Sequence, residues 1–166
     1  MLPVVEPSGL VVGQATRGAC HSGTHLLHPV VHLHIIDREG RLWLQKRSMS
    51  KDLWPGRWDT AVGGHISYGE QVRDALAREA AEETGLTDFN PEYLETYTWE
   101  TERDSELVVV FAIVGHPDLH PDNAEVTEGK WWTQEEILQA SKAHRLLTPN
   151  FESEFLRIRE SLLALL

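Results

Sequence analysis

GHISYGEQVRDALAREAAEETGL, residues 64–86, is the stretch whose reading decides the fold. Val72, Ala75, Leu76 and Ala80 recur at helical spacing, and Gly85 stands where a left-handed C-terminal cap is wanted. The spacing predicts a helix over residues 70–84. On it Glu79, Glu82 and Glu83 fall within an arc of about 100° and share one face. Like charges at i,i+4 disfavour a helix by about 0.2–0.5 kcal/mol per pair. A solvated surface is the bland explanation, because glutamate is a good helix former. Two features weigh against it. Gly63-Gly64 is read as the end of a strand, which frees backbone carbonyls beside the helix, and Gly69 lets the intervening loop turn sharply. Three carboxylates and a carbonyl are hard oxygen donors suited to Mg²⁺ or Mn²⁺, and a bound cation turns the repulsion into attraction.

Outward from the helix the chain alternates strands and turns without repeats or a Pro/Gly/Ser-rich linker. Residues 4–6 and 10–16 flank Pro7-Ser8-Gly9 and predict a first hairpin. Residues 30–36 are apolar and β-branched, meet the turn Asp37-Arg38-Glu39-Gly40, and continue as a strand over 41–46. A loop over 48–58 carries Pro55-Gly56, and a short strand over 58–62 runs into Gly63. Strands are predicted over 93–102 and 107–114, the latter buried on both faces, and a short one over 130–132. Thr133 with Glu136 resembles a capping box for a helix to about residue 143, and Pro149 opens a last helix. Phe151, Phe155, Ile158, Leu162 and Leu165 give that helix an apolar side that would serve a core or a homodimer. These elements predict an α/β domain with a mixed or largely antiparallel sheet.

At 166 residues the chain suits one domain, residues 1–166. A formal net charge of −11 argues against a nucleic-acid polymer as partner, since such a groove needs a basic footprint. Polyphosphates remain possible ligands if divalent cations lie between the two sets of negative charge. Cys20 is the single cysteine, so no disulfide forms within the chain. The first residues lack the pattern of a signal peptide, and the apolar run 107–114 is too short to span a bilayer. The expectation is a soluble, cytoplasmic protein with no membrane partner.

Gly64, five residues, Glu70, seven residues, then Arg78-Glu79-Ala80-Ala81-Glu82-Glu83-Thr84-Gly85-Leu86 resembles the signature of the Nudix hydrolases. Ala80 alone is smaller than the aliphatic residue usual at its place. The resemblance implies an α/β/α sandwich around a mixed sheet, and metal-dependent hydrolysis of a nucleoside diphosphate-X or another small diphosphate compound. It further implies Glu79, Glu82 and Glu83 as metal ligands, helped by the carbonyl of Gly63 or Gly64. Glu70 and Arg78 would pair to hold the loop against the helix. The general base varies in position within the family, and Glu79, Glu82 and Glu106 are the candidates here.

Ala15-Thr16-Arg17-Gly18, His21, His28, Gln45-Lys46-Arg47-Ser48 and Trp54-Pro55-Gly56-Arg57-Trp58-Asp59 resemble isopentenyl-diphosphate isomerase and its hydrolase-like relatives. The isomerase holds a metal through three histidines and two acidic residues, for which His21, His28, His65, Asp104 and Glu106 stand at matching places. That set implies a second metal site for Zn²⁺ or Mn²⁺ on His21, His28, His65 and Glu106. The isomerase cysteine is replaced by Gly63, which removes the acid/base group its chemistry needs. Hydrolysis is therefore favoured over isomerisation, with a catalytically silent diphosphate-binding domain as the third reading.

Five histidines crowd residues 21–34, and as strand residues His28, His32 and His34 share one face. They are either an ordinary polar face or part of the second metal site. The tryptophans, Trp54, Trp58, Trp131 and Trp132 among them, are read first as packing and second as a stacking wall for substrate. Lys46, Arg47, Lys51 and Arg57 are either solvated charges or phosphate contacts.

Overall fold

A computed structural model describes residues 1–121 and 126–166. A hairpin of β1 (Leu2–Val5) and β2 (Val11–Ala15) forms a small sheet of its own and leads into one turn of helix, α1 (Arg17–Cys20), that the sequence pattern did not indicate. The main sheet has the order β5 (Trp58–Asp59), β4 (Leu42–Arg47), β3 (Leu27–Ile36), β8 (Ser105–Val114), β7 (Glu92–Glu100). Off that path β6 (Val62–His65) pairs with β3, and β9 (Val126–Trp132) pairs with β4. The sheet is mixed: β3 and β8 run parallel in register from Leu27↔Ser105 to Ile36↔Val114, and the other pairs are antiparallel. Central parallel strands are buried on both faces, which matches the near-continuous apolar run of β8.

Helices cover both faces. Val31, Leu33 and Ile35 of β3, with Phe111 and Ile113 of β8, pack against Ala75, Leu76 and Ala80 of α2 (Val72–Thr84). The alternate residues Val30 and Ile36, with Val108, Val110 and Ala112, meet α3 (Gln134–Ala143) and α4 (Pro149–Leu163). The period of two along β3 therefore sends its odd residues to α2 and its even ones, His28, His32 and His34 included, toward the α4 side. Phe151, Phe155, Ile158 and Leu162 are buried in this second core, so the apolar side of α4 is used inside the molecule and is not open to a second copy.

Local chemistry explains the boundaries. Gly85 caps α2 at φ 72°, Thr133 and Glu136 form the capping box of α3, and Thr148 caps α4 ahead of Pro149. Two expectations change. The strand over 58–62 is broken into β5 and β6, because the Asp59 carboxylate accepts from the Thr60 amide at 2.8 Å and from Thr148 Oγ1 at 3.0 Å and turns the chain. Gly63 and Gly64 then lie inside β6, opposite His32 and Val31, and do not end a strand. Among the described residues no helix is long and apolar enough to cross a membrane.

Candidate active site

A cleft of about 740 Å³ opens at the end of β3, β4 and β6 and is lined by, among others, Arg47, Trp54, Glu79, Glu83, Glu106 and Asn150. Its acidic corner comes from the last turns of α2. Glu83 is buried at 4% exposure and accepts from Gln45 Nε2 at 2.7 Å. Burial pushes the Glu83 carboxyl well above the usual range against the pull of Gln45, and the nearby Glu79 charge adds to the rise. The Glu79 carboxylate lies against Gly64 so closely that a Cβ there would overlap it, so a side chain at this position would displace the carboxylate from where it lies. Glu82 sits at the rim, 60% exposed, 3.6 Å from Arg78 Nη1.

Arg78 ties the corner together. It donates through Nε and Nη2 to both oxygens of Glu70 at 2.9 Å and through Nη2 to the His65 carbonyl at 3.0 Å. Its Nη1 reaches Glu79 at 2.7 Å. Glu70 also accepts from the Ser67 amide at 3.0 Å. Those bonds to the Arg78 guanidinium hold the Glu70 carboxyl below its usual range and outweigh burial. The pair fixes the loop over 66–71 against the helix, the arrangement expected of Glu70 and Arg78.

A second cluster stands a few residues away. His21, His28 and His65 each offer a ring nitrogen, and these atoms lie within 4.8 Å of one another. Among the described residues this is the one group of three or more His, Cys, Asp or Glu brought so close. His21 Nδ1 donates to Asp104 Oδ1 at 2.7 Å and leaves Nε2 3.0 Å from His65 Nε2. His28 Nδ1 donates to the Leu26 carbonyl at 2.9 Å, and its buried Nε2 has no hydrogen-bond partner, with Glu106 Oε2 at 3.7 Å. Burial, with Arg17, His21 and His28 around it, drops the His65 imidazole to about 3. Rings that keep one nitrogen for a metal while the other is bonded, as His21 Nδ1 is to Asp104 and His28 Nδ1 to the Leu26 carbonyl, are what a borderline cation takes. Burial lifts the Glu106 carboxyl against the attraction of His32 and His28.

The remaining histidines part from this group. His25 bonds Ser105 Oγ and the Glu102 carbonyl. His32 and His34 both donate to Glu154, at 2.8 and 2.5 Å. On the shared face of β3, His28 and His34 are buried and His32 lines the cleft. Of the basic residues, Arg47 and Lys51 line the cleft, whereas Lys46 pairs with Glu128 at 3.2 Å and Arg57 donates to the carbonyls of His144 and Leu147. Trp132 is buried, Trp58 packs edge-on to it at 5.6 Å, and Trp131 lies against His116, whereas Trp54 is 43% exposed on the cleft wall under Arg57. Gln45 and Glu154 were missed. Glu154 left a trace, a charge three residues from Phe151 and four from Ile158 on the apolar stripe of the last helix. Gln45 opens the Gln45-Lys46-Arg47-Ser48 stretch that resembles the isomerase branch, but nothing in the strand over 41–46 marks it as a partner of Glu83.

The donor sets fit divalent cations. A corner that sets the buried Glu83 carboxyl beside Glu79 is stabilised by positive charge, and the orphaned His28 Nε2 asks for a donor or a metal.

The profile of the NUDIX domain matches residues 26–151. The chain is 28% identical over 149 residues to isopentenyl-diphosphate Delta-isomerase of Brevibacterium linens, covering 86% of this chain and 82% of that protein. Among solved structures it is similar to DR0079 of Deinococcus radiodurans, with TM-score 0.81, 24% identity and coverage of 94% and 97%. It is also similar to the MutT protein of Methanosarcina mazei Go1, with TM-score 0.68, 26% identity and coverage of 81% and 94%.

Proposed function

The chain belongs to the NUDIX family, and from that premise we propose that it is a metal-dependent pyrophosphohydrolase acting on a nucleoside diphosphate-X or a similar small diphosphate compound. The observation that carries the reading is the buried Glu83 beside Glu79, at a strand where Gly64 leaves no side chain in the way. In this reading Glu79, Glu83 and the Gly64 carbonyl hold Mg²⁺ or Mn²⁺, with Glu82 completing the set from the rim. Bound cations neutralise the diphosphate and lower the pKa of a coordinated water. Gln45 holds the Glu83 carboxylate in place, and the Arg78–Glu70 pair holds the loop that carries the strand end. Among Glu79, Glu82 and Glu106, Glu106 suits the role of base: it faces the cleft and its burial raises its proton affinity. His21, His28 and His65, with Glu106, form a second site for Zn²⁺ or Mn²⁺.

A second reading, isomerisation of a prenyl diphosphate, is favoured by the name of the Brevibacterium relative and by the gathering of His21, His28, His65, Asp104 and Glu106. Against it, Gly63 offers no thiol, and Cys20 is fully buried outside the cleft lining. A panel of diphosphate compounds assayed with Mg²⁺ or Mn²⁺, with isopentenyl diphosphate among them, decides. Release of phosphate or a monophosphate, abolished in Glu83→Gln, is expected. Isopentenyl diphosphate turning over to its allylic isomer, with no diphosphate cleaved, would establish the other chemistry.

A further inference from the structure

His32 is the even-numbered residue of β3 that faces both the α4 core and the cleft. Its Nδ1 donates to Glu154 Oε1 at 2.8 Å, and Glu154 is completely buried on α4. The same carboxylate accepts from His34 Nε2 and from the Tyr97 hydroxyl, each at 2.5 Å, and Asn150 Nδ2 donates to that hydroxyl at 2.9 Å. Three donors therefore clamp the carboxylate, and the carboxylate clamps the imidazole. The ring's other nitrogen is aimed the opposite way. His32 is 12% exposed as a side chain and lines the cleft, and its Nε2 has no protein hydrogen bond among those described.

What uncovers Nε2 is the glycine opposite. His32 pairs with Gly63, and a Cβ added to Gly63 would lie 3.2 Å from His32 Cδ2 and 3.5 Å from Nε2. The adjacent glycines thus make two openings in one strand: Gly64 admits the Glu79 carboxylate, and Gly63 admits the His32 ring edge. On this geometry, and resting on the diphosphatase reading of the cleft, we propose that His32 Nε2–H binds a phosphoryl oxygen of the diphosphate through the opening at Gly63. Glu154 and Tyr97 act as positioning residues behind it.

Charge agrees with this assignment. Burial opposes protonation of His32, but Glu154, with smaller help from Asp59 and Glu106, outweighs it and lifts the ring to about 9. The groups facing His32 are Glu154 from α4, Tyr97 from β7, His34 on its own strand, Asp59 from β5 and Glu106 from β8. A buried carboxylate wants one compensating cation, and His32 supplies it while keeping an N–H for an anion. In the same cleft as the carboxylates, that N–H supplies a donor for the diphosphate.

The test uses the intact protein with methylenediphosphonate, a diphosphate analogue that cannot be hydrolysed, in Mg²⁺. Nitrogen-resolved NMR of the histidine side chains should show His32 Nε2 shifting on saturation, and Glu154→Gln should diminish the shift. With the best substrate from the panel, Gly63→Ala should lower kcat/KM at least tenfold while Tm is retained, and His32→Gln should do the same with a lower Tm, because Glu154 loses its compensating cation. Gly63→Ala leaves His34 and Tyr97 on Glu154 and crowds only the edge of the His32 ring, so it reads the opening more than the buried network. Shifts at Gly63 and Gly64 amides with His32 Nε2 unmoved would overturn the role of His32 and leave the hydrolase reading standing. No shift at any residue, with no compound hydrolysed, would overturn both.

Discussion

The acidic corner and the histidine trio share one cleft and are built in opposite ways. Glu79, Glu82 and Glu83 come from adjacent turns of a single helix, so their closeness follows from the helical repeat. His21, His28 and His65 arrive from the end of α1, from β3 and from β6, and they meet only because β6 pairs with β3. The chemistry differs as well. Burial and the neighbouring Glu79 charge make the Glu83 carboxylate costly without a cation, whereas His21 and His28 each have one ring nitrogen bonded, to Asp104 and to the Leu26 carbonyl. One cleft thus gathers hard oxygen donors and borderline nitrogen donors, and in the proposed reading the two should respond to different ions and different mutations.

The sharpest way to break this division is to mutate each side and read both outputs. Glu83→Gln is expected to lower hydrolysis on the order of a hundredfold or more, with Zn²⁺ binding measured by calorimetry unchanged. His28→Ala should do the reverse, weakening Zn²⁺ about 10–100-fold with Mg²⁺-dependent turnover retained. If His28→Ala abolishes turnover and Glu83→Gln does not, the chemistry belongs to the histidines. Gln45→Leu tests the support of the corner: Mg²⁺ activation should need about tenfold or more metal, since the Glu83 carboxylate loses its donor.

A smaller effect is expected on stability against pH. His32 is lifted above its ordinary 6.5 to about 9, so its contribution is complete below about 6.5 and is lost as pH rises through about 9. Glu154, held below its ordinary 4.5 chiefly by His32 despite its burial, contributes above that value and loses the contribution as pH falls through its depressed one. Tm of the wild type should therefore decline between pH 7 and 10 more steeply than Tm of His32→Gln. Parallel slopes would show that the pair is not charged in the folded protein. The smallest effect belongs to Glu70→Gln. The pair is partly exposed, so about 1 kcal/mol or less, roughly 2–4 °C in Tm, is expected at 166 residues.

Much of the domain was legible because its signals are local. The C-terminal glycine of α2, the capping box of α3, the proline opening α4 and the apolar run of β8 each act within a few residues, and the spacing of residues 64–86 carries the corner with it. Boundaries went astray where a side chain from elsewhere intervened, as when Asp59, bonded to Thr148, split one predicted strand in two. The positions of Gly63 and Gly64 followed from that split.

By itself the sequence determined the helix bearing Glu79, Glu82 and Glu83 and an α/β class, because helical and strand periodicity act within single segments, and the Glu70–Arg78 pairing was legible only through the resemblance to the Nudix signature. Only the tertiary structure decided which of the crowded histidines converge. Their side chains alternate identically along β3, and it is the strands and helix packed against that face that send His28 to His21 and His65, and His32 and His34 to Glu154. Periodicity fixes the face on which a side chain lies. Its partner there is fixed by what else must be buried against it.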